Sequence, residues 1–283
     1  MGKKALLSDY LKDSPYFDGA DPVHQIIETH FHLDMIKEKD DSSVVDDFRS
    51  LGIEKAITIS TSKKNWNVVE HLSSKHDCLG FTLGTHPHEA DNFESSGFDS
   101  LFNAHKNNPK LCAIGEIGLD YFYNFSSPEK QKACLDYHLD LSSKEHMPVV
   151  IHNRESDKDM TKLLKNHVKN MKKKGVIHSF SSGIELAEFA LENDFYLGFN
   201  GMCTFKTAEN VRDAIRLCPI DKILLETDSP FLTPTPYRGN ENNPSYLPLV
   251  ALKISEIKNI PIDDLLKRVY QNSLNCFENL KNF

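Results

Sequence analysis

The stretch Ile26-Ile-Glu-Thr-His-Phe-His-Leu-Asp34 begins as a short apolar run and ends in two histidines one residue apart. Alternate residues of an extended chain point to the same side, so His30 and His32 can direct both imidazoles at one point just beyond a strand. Two converging imidazoles make half of a transition-metal site. The fragment alone fits two surface histidines in a loop equally well, so the rest of the chain has to decide between these interpretations.

Seven further apolar runs suited to buried strands follow the first one. The eight runs lie near residues 25–30, 55–60, 78–84, 110–115, 147–152, 175–179, 194–199 and 222–227. Segments with mixed charge and helical spacing lie near 41–51, 64–76, 97–107, 128–145, 155–173, 183–193, 207–217 and 244–281. Alternating strands and helices form βαβ units with a parallel sheet. Eight units in 283 residues predict an α/β fold, a (β/α)8 TIM barrel. An open doubly wound sheet is the alternative, but no Gly-x-Gly-x-x-Gly follows the first strand.

The composition is that of an ordinary globular protein, with 39% hydrophobic and 26% charged residues. Residues 1–24 are largely polar and contain the turn formers Ser14-Pro15 and Asp21-Pro22, which indicates a short N-terminal arm. We expect residues 25–283 to form a single barrel domain, because α/β barrels of this size commonly fold as one unit.

Charge and cysteine usage limit the partners and the compartment. The formal net charge is -8, so a surface that binds phosphate must be local. The six cysteines are scattered without a Cys-x-x-Cys pair, which favours a reducing compartment, the cytoplasm or alternatively the nucleus. The N-terminal apolar run Ala5-Leu-Leu7 is too short for a signal peptide, and no run reaches the length of a membrane span. We therefore expect no membrane association, and no obligatory protein partner is evident.

Polar side chains recur where the apolar runs end. These ends hold His30 and His32, Gly84-Thr-His-Pro-His88, Ile114-Gly-Glu-Ile-Gly-Leu-Asp120, Val149-Val-Ile-His-Asn-Arg154, Val176-Ile-His-Ser179 and Ile223-Leu-Leu-Glu-Thr-Asp-Ser-Pro230. In a barrel, ligands and catalytic groups gather at this rim. Each residue has a simpler explanation: a histidine can be satisfied by a hydrogen bond, Glu116 can pair with Arg154, and Asp228 can cap the next segment. Their coincidence on one rim favours a metal site.

The predicted ligands divide into two groups. The first ligand group is His30, His32 and Asp228, and the second ligand group is His152 and His178. Glu116 lies on the strand between them and has two oxygens, so it can bridge two cations. Imidazole with carboxylate suits Zn and tolerates Mn, Fe or Co, whereas a site richer in oxygen ligands suits Mg. His86 and Glu226 are weaker candidates, which can support the ligands or bind substrate or a further ion.

Together these motifs resemble the TatD family of metal-dependent deoxyribonucleases, within the amidohydrolase-like TIM-barrel group. The resemblance spans roughly residues 26 to 278. It rests on the order and spacing of Thr29-His-Phe-His-Leu-Asp34, Gly84-Thr-His-Pro-His88, Ala113-Ile-Gly-Glu-Ile-Gly-Leu-Asp120, Met147-Pro-Val-Val-Ile-His-Asn-Arg154, Ile177-His-Ser-Phe180, Tyr196-Leu-Gly-Phe-Asn-Gly201 and Leu225-Glu-Thr-Asp-Ser-Pro230. It implies a barrel that binds divalent ions and hydrolyses phosphodiester bonds of a DNA substrate, often from the 3′ end, in DNA degradation or repair.

The resemblance also implies roles for individual residues. The residues that match metal ligands by position are His30, His32, Glu116, His152, His178 and Asp228. Two divalent ions (Zn, Mg or Mn) are expected, with Asp228 and Glu116 as the catalytic residues. His86 matches a further site residue. The residues expected to contact substrate are Arg154, as a bidentate phosphate donor, His86 and, with less weight, Arg238.

One motif departs from the family pattern. Relatives commonly carry Arg-Gly-x-x-Asn-Glu-Pro after the last strand, and here the run is Arg238-Gly-Asn-Glu-Asn-Asn-Pro244. Asn243 stands where relatives have a carboxylate, which leaves the role of this loop open.

The expected mechanism is attack on phosphorus by water that the metal activates, with Asp228 as ligand and base. Two alternatives remain open at this point: hydrolysis of a carbonyl ester or amide by the same centre, and a catalytically silent metal-binding protein. The aromatic residues Tyr121, Phe122, Tyr123 and Phe205 lie near the rim loops, where they can stack nucleobases or belong to the core.

Overall fold

Eight parallel strands form one sheet in which each strand pairs with its neighbours in sequence. The structure is a computed structural model that describes residues 7–19 and 21–283. The strands are β1 (Ile26–Phe31), β2 (Ile53–Thr58), β3 (Leu79–Leu83), β4 (Leu111–Asp120), β5 (Val149–Arg154), β6 (Gly175–Ile177), β7 (Tyr196–Phe199) and β8 (Ile223–Leu225). Just beyond the last strand, the Asp228 N–H donates to the His30 carbonyl at 2.9 Å and so connects β8 to β1. The predicted (β/α)8 barrel is confirmed.

Helices follow the strands around the outside. They are α1 (Asp41–Arg49), α2 (Trp66–Lys75), α3 (Ser95–His105), α4 (Pro128–Glu145), α5 (Asp157–His167), α6 (Ile184–Glu192), α7 (Glu209–Leu217), α8 (Leu247–Lys258) and α9 (Ile262–Cys276). The predicted helical segment 244–281 contains two helices. Asn259 ends α8 in the left-handed conformation at φ 51°. Pro261 directly precedes α9, and a proline at this position prevents one continuous helix through the segment.

Apolar packing separates the two ends of the barrel. Side chains such as Ile27, Val150 and Leu224 pack inside the barrel against Phe277 and Leu280, which follow α9. The Asn279 side chain donates to the Leu111 carbonyl, at the first residue of β4, at 2.7 Å. The C-terminal segment therefore covers the amino ends of the strands and leaves the carboxyl ends open.

The N-terminal region adds a helix, Leu7–Lys12, and two short antiparallel strands, Phe17–Asp18 and Asp21–Pro22. The buried Tyr16 hydroxyl donates to the Leu51 carbonyl at 2.7 Å, which joins this region to the end of α1. Residues 1–6 and 20 of the predicted arm lie outside the described residues. The division into an arm, 1–24, and one barrel domain, 25–283, stays a prediction. Within the described ranges, no helix has the length and apolar character needed to cross a membrane.

Candidate metal centre

The predicted ligands all lie in the carboxyl-terminal halves of the strands or directly after them. His30 is on β1, Glu116 on β4 and His152 on β5, while His178 directly follows β6 and Asp228 follows β8. The carboxyl ends of all strands in a closed parallel barrel form one rim, so residues that are distant in sequence come together there. The structure brings all of these side chains together around Glu116.

One oxygen of Glu116 faces the second ligand group. Glu116 Oε1 lies 2.8 Å from His178 Nε2 and 3.1 Å from His152 Nδ1. His86, which follows β3, places its Nε2 3.5 Å from the same oxygen. Ligand atoms of His86, Glu116 and His152 lie within 4.8 Å of one another, a spacing that a cation can span. His86 is therefore a neighbour of the second ligand group.

The other oxygen of Glu116 faces the first ligand group. Glu116 Oε2 lies 3.6 Å from His30 Nε2 and 3.8 Å from His32 Nε2. Asp228 Oδ1 lies 3.6 Å and 3.5 Å from the same two nitrogens. Asp228 has a left-handed backbone, with φ 58°, which costs energy in a non-glycine residue and is often found at functional sites.

Electrostatics hold Glu116 in its ionised form. Burial alone would raise the pKa of Glu116, but the neighbouring imidazoles, chiefly His178, outweigh it and hold this pKa well below its usual range. Burial, reinforced by the nearby His178 imidazole, lowers the pKa of His30. Burial also holds the pKa of His86 well below its usual range. Burial would lower the pKa of His178, but the neighbouring carboxylates, chiefly Glu116, outweigh it and raise this pKa well above its usual range. Metal binding requires an ionised carboxylate beside neutral imidazoles, so a bound cation would take the place of the proton on His178.

Polar atoms of His30 are left without hydrogen bonds in this centre. Both ring nitrogens of His30 are buried and have no hydrogen-bond partner among the described residues. The His30 ring stacks on His178 with the centroids 3.8 Å apart and the planes 1° from parallel. Because buried polar atoms rarely lack a partner, the orphaned His30 nitrogens and the adjacent carboxylates fit a bound divalent cation.

Asp120 was missed as a site residue by the sequence reasoning. Its carboxylate is buried and accepts from His152 Nε2 at 3.1 Å and from His88 Nε2 at 2.9 Å. Asp120 and Glu116 lie four residues apart on β4, an even spacing typical of residues on one face of a strand. That spacing was the available signal, but the predicted strand ended at residue 115.

Two buried glutamates lie beside the ligands. Glu226 accepts from the Ser179 N–H at 2.5 Å, and its Oε1 lies 3.7 Å from His178 Nδ1. Glu28, which the sequence reasoning did not single out, accepts from the N–H groups of His30 and Thr227, each at 3.0 Å. Burial raises the pKa of Glu28 well above its usual range. Glu28 therefore holds the backbone of the ligand His30, and Glu226 lies beside the ring of the ligand His178.

A cavity of about 670 Å³ opens above the centre. Its lining includes Glu116 and Asp228 at the base, with Arg154, Tyr123 and Phe231 toward the solvent. Side chains of Tyr123 and Phe231 are 40% and 52% exposed, which is unusual for aromatic residues of this size. The cavity therefore has carboxylate ligands at its base, and the Arg154 guanidinium and exposed aromatic rings at its mouth.

The other predicted contact residues occupy different places. The Arg154 guanidinium lies 3.9 Å from the centroid of the 48%-exposed Phe122 ring. Tyr121 instead donates its hydroxyl to Asp159 at 2.7 Å. Arg238 is exposed, is not part of the cavity lining, and stacks on Phe205 at 3.9 Å. Of the four aromatic candidates, Tyr123 lines the cavity, and Phe122 lies next to it against Arg154.

The loop that departs from the family pattern has its own hydrogen bonds. The Asn243 side chain accepts from the Ser245 N–H at 2.9 Å and begins the short helical turn Pro244–Tyr246. The Glu241 carboxylate in the same loop accepts from the N–H of Glu38 at 2.8 Å. Asn243 thus caps a local turn, while Glu241 joins this loop to the segment after β1.

Comparisons with known proteins agree with this fold and centre. The sequence model of the family described as TatD related DNase matches residues 27–278. An uncharacterized metal-dependent hydrolase of Bacillus subtilis, YabD, is 29% identical over 89% of this chain and 98% of its own length. Deoxyribonuclease Tat-D of Schizosaccharomyces pombe is 27% identical over 92% of this chain and 93% of its own length.

A solved structure is also similar. YJJV of Escherichia coli, a TatD homologue, superposes with a TM-score of 0.85 and 28% identity over 90% of this chain and 99% of its own. The family match extends from β1 to beyond α9 and so includes every strand that contributes a ligand. The chain belongs to the TatD-related DNase family of metal-dependent hydrolases.

Proposed function

We propose that this protein is a metal-dependent deoxyribonuclease that hydrolyses DNA phosphodiester bonds as a 3′–5′ exonuclease. The observation that carries the proposal is Glu116, which lies between two ligand groups at the base of a cavity that also contains Arg154. The relative named deoxyribonuclease in fission yeast, at 27% identity, supports the choice of DNA. The cavity volume of about 670 Å³ is within the usual range for small-molecule sites and suits a nucleotide unit.

The donor set suits two divalent ions of Zn, Mg or Mn. The first ligand group would hold one ion and the second ligand group the other, with Glu116 between them and His86 beside the second. When bound, such ions polarise a phosphoryl oxygen and lower the pKa of water, which supplies a nucleophile at neutral pH.

Asp228 is suited to take the proton from the attacking water. Burial would raise the pKa of Asp228, but hydrogen bonding to His32 and the charges of nearby imidazoles outweigh it and lower this pKa. The carboxylate is therefore ionised at neutral pH, as a proton acceptor requires. Glu116 stays ionised for the same reason and fixes the relative positions of the two ligand groups.

Arg154 is suited to bind the substrate phosphate. Its guanidinium lines the cavity and can donate two parallel hydrogen bonds to phosphate oxygens. This local cation counters the net charge of -8, which would otherwise repel DNA. Phe122 and Tyr123 lie beside Arg154 and can stack unpaired bases. Arg238 stays a weaker candidate, because it lies outside the cavity lining.

We place the reaction in the cytoplasm, with the nucleus as the alternative. The six cysteines are free and buried, which fits a reducing compartment. DNA is the only macromolecular partner that the proposal requires.

Hydrolysis of a single-stranded DNA oligonucleotide tests this proposal. Protein treated with a chelator is supplied with Mg, Mn or Zn, and the oligonucleotide is labelled at its 3′ end or, in parallel, at its 5′ end. We expect metal-dependent release of mononucleotides from the 3′ end and progressive shortening of the 5′-labelled strand. Cleavage of carbonyl esters or amides without DNA hydrolysis would reassign the substrate. Verified metal binding with no turnover of either class would indicate a catalytically silent protein.

A further inference from the structure

We propose that Asp120 is a positioning residue that fixes His152 as an Nδ1 metal ligand and connects this ligand to the aromatic loop formed by residues 121–125. The inference deepens the proposed function and rests on it, since it links the metal centre to the surface that would receive the substrate. It concerns a carboxylate that contacts the ligand His152 but is not itself one of the predicted ligands.

The two oxygens of Asp120 contact different structures. Oδ2 accepts from His152 Nε2 at 3.1 Å and from His88 Nε2 at 2.9 Å. Oδ1 accepts from the backbone N–H groups of Phe122 at 3.0 Å and Tyr123 at 3.1 Å. Asp120 therefore touches a candidate ligand with one oxygen and the backbone of the aromatic loop with the other.

Gln131 on α4 holds the Asp120 backbone in place. The Asp120 N–H donates to Gln131 Oε1 at 2.8 Å, and Gln131 Nε2 donates to the Asp120 carbonyl at 2.9 Å. Asp120 is 1% exposed and Gln131 is equally buried, so both bonds are shielded from water. These two hydrogen bonds fix the backbone of Asp120 and so limit how far its side chain can move away from His152.

An ionised carboxylate can only accept hydrogen bonds, and this fixes the tautomer of a neutral His152. Oδ1 of Asp120 accepts from two backbone N–H groups, and Oδ2 lies within hydrogen-bond distance of two imidazole nitrogens, so both oxygens act as acceptors. The proton of neutral His152 must then be on Nε2, which leaves the lone pair on Nδ1. That nitrogen lies 3.1 Å from Glu116 Oε1, on the side where the second ligand group converges.

The aromatic loop is joined to the same carboxylate through His88. The His88 ring packs on Tyr123 with centroids 5.3 Å apart and on Phe125 at 4.8 Å. Phe125 is 63% exposed, so this packing places a large apolar ring beside the cavity mouth. A shift of Asp120 would therefore move both the His152 ligand and the exposed rings.

Substitution of Asp120 by asparagine separates these two roles. In the D120N variant the amide oxygen can still accept from the loop backbone. The amide N–H₂ would face His152 Nε2, which favours the other tautomer, with the proton on Nδ1. Isothermal titration of Mn²⁺ or Zn²⁺ into chelator-treated protein measures the consequence. We expect one of two binding events to weaken about 10–100-fold, the usual effect of removing a residue that orients a ligand.

Asp159→Asn is the matched control. Asp159 accepts a hydrogen bond from Tyr121 of the same loop, but this bond involves none of the ligands. We expect both metal affinities of this variant to equal those of the unmodified protein. Circular dichroism and thermal unfolding verify the fold of each variant, and Asp120→Ser replaces D120N if the amide variant does not fold.

Unchanged titrations of folded D120N would overturn the role of Asp120. Equal weakening of both binding events would also contradict it, because only His152 contacts this carboxylate among the predicted ligands. The readout is metal affinity, so the result does not depend on whether DNA is the substrate. The oligonucleotide assay decides that question separately.

Discussion

At the scale of single residues, Glu116 illustrates how the fold offsets the cost of a buried charge. A carboxylate that is 2% exposed is unfavourable unless it is paired or binds a cation. Here imidazoles from several strands surround it, and together they overcome the effect of burial on its pKa. The sequence predicted this residue because a charged group followed directly on an apolar run. It could not predict which oxygen faces which imidazole, since that depends on side-chain geometry.

Asp228→Asn tests the assigned proton acceptor. The amide keeps the shape of the side chain but cannot take a proton, so we expect DNA hydrolysis to fall by at least about 100-fold. Thermal unfolding of the metal-free protein should show an intact fold. The control is Asp221→Asn, in the turn that precedes β8 and outside the cavity lining, which should hydrolyse DNA at the unmodified rate. A rate for Asp228→Asn equal to that control would remove Asp228 from the catalytic residues.

Gly198→Ala tests the packing of Glu226. A Cβ at Gly198 would lie 2.3 Å from Glu226 Oε2, and Glu226 is fully buried, so the added methyl has no space. We expect a loss of about 1–3 kcal/mol in the free energy of unfolding, measured in urea. Gly97→Ala in α3 is the control, because the nearest atom to its Cβ would be Lys63 Nζ at 3.7 Å. Equal stabilities of the two variants would show that the space around Glu226 adapts freely.

At the scale of elements, apolar periodicity predicted all eight strands and the succession of helices. The same periodicity predicted that β4 ends at residue 115, whereas the strand continues to Asp120. The extra residues pair with β5, as in Gly118 with His152 and Asp120 with Arg154. Such pairing depends on a partner about thirty residues away, which a local pattern does not contain. The missed length of β4 is also why Asp120 was missed.

Helix α1 gives a prediction about pH. Hydrogen bonds from Lys75 and His76 lower the pKa of Asp41, at the start of α1, to about 2. A lowered carboxyl pKa stabilises the fold above the usual value near 3.8, and this contribution disappears as the pH falls toward 2. Asp41→Asn should therefore cost about 1 kcal/mol at pH 6, because the pair is partly solvent-screened, and less at pH 3.

Urea unfolding of Asp41→Asn at several pH values measures this difference. Asp46→Asn is the control, because Asp46 is an exposed carboxylate of the same helix. Its effect should be small throughout the pH range. A cost of Asp41→Asn that grows as the pH falls would contradict the assigned sign.

At the scale of the whole molecule, the apolar packing that closes the barrel and the candidate metal centre lie at opposite ends of the strands. The C-terminal segment packs against the amino ends of the strands, while the candidate metal centre occupies the carboxyl ends. Strand order follows chain order, so the motifs at successive strand ends could be assigned to one rim from sequence. Their distances, the stacking of His30 on His178 and the contacts of Asp120 arise from closure and side-chain packing. These features needed the three-dimensional structure.

Anomalous diffraction from crystals soaked in Mn²⁺ or Zn²⁺ tests the central claim most directly. The account predicts two anomalous peaks beside the Glu116 carboxylate, one next to the first ligand group and one next to the second. A single peak, or peaks away from Glu116, would contradict a centre in which this carboxylate lies between two ions.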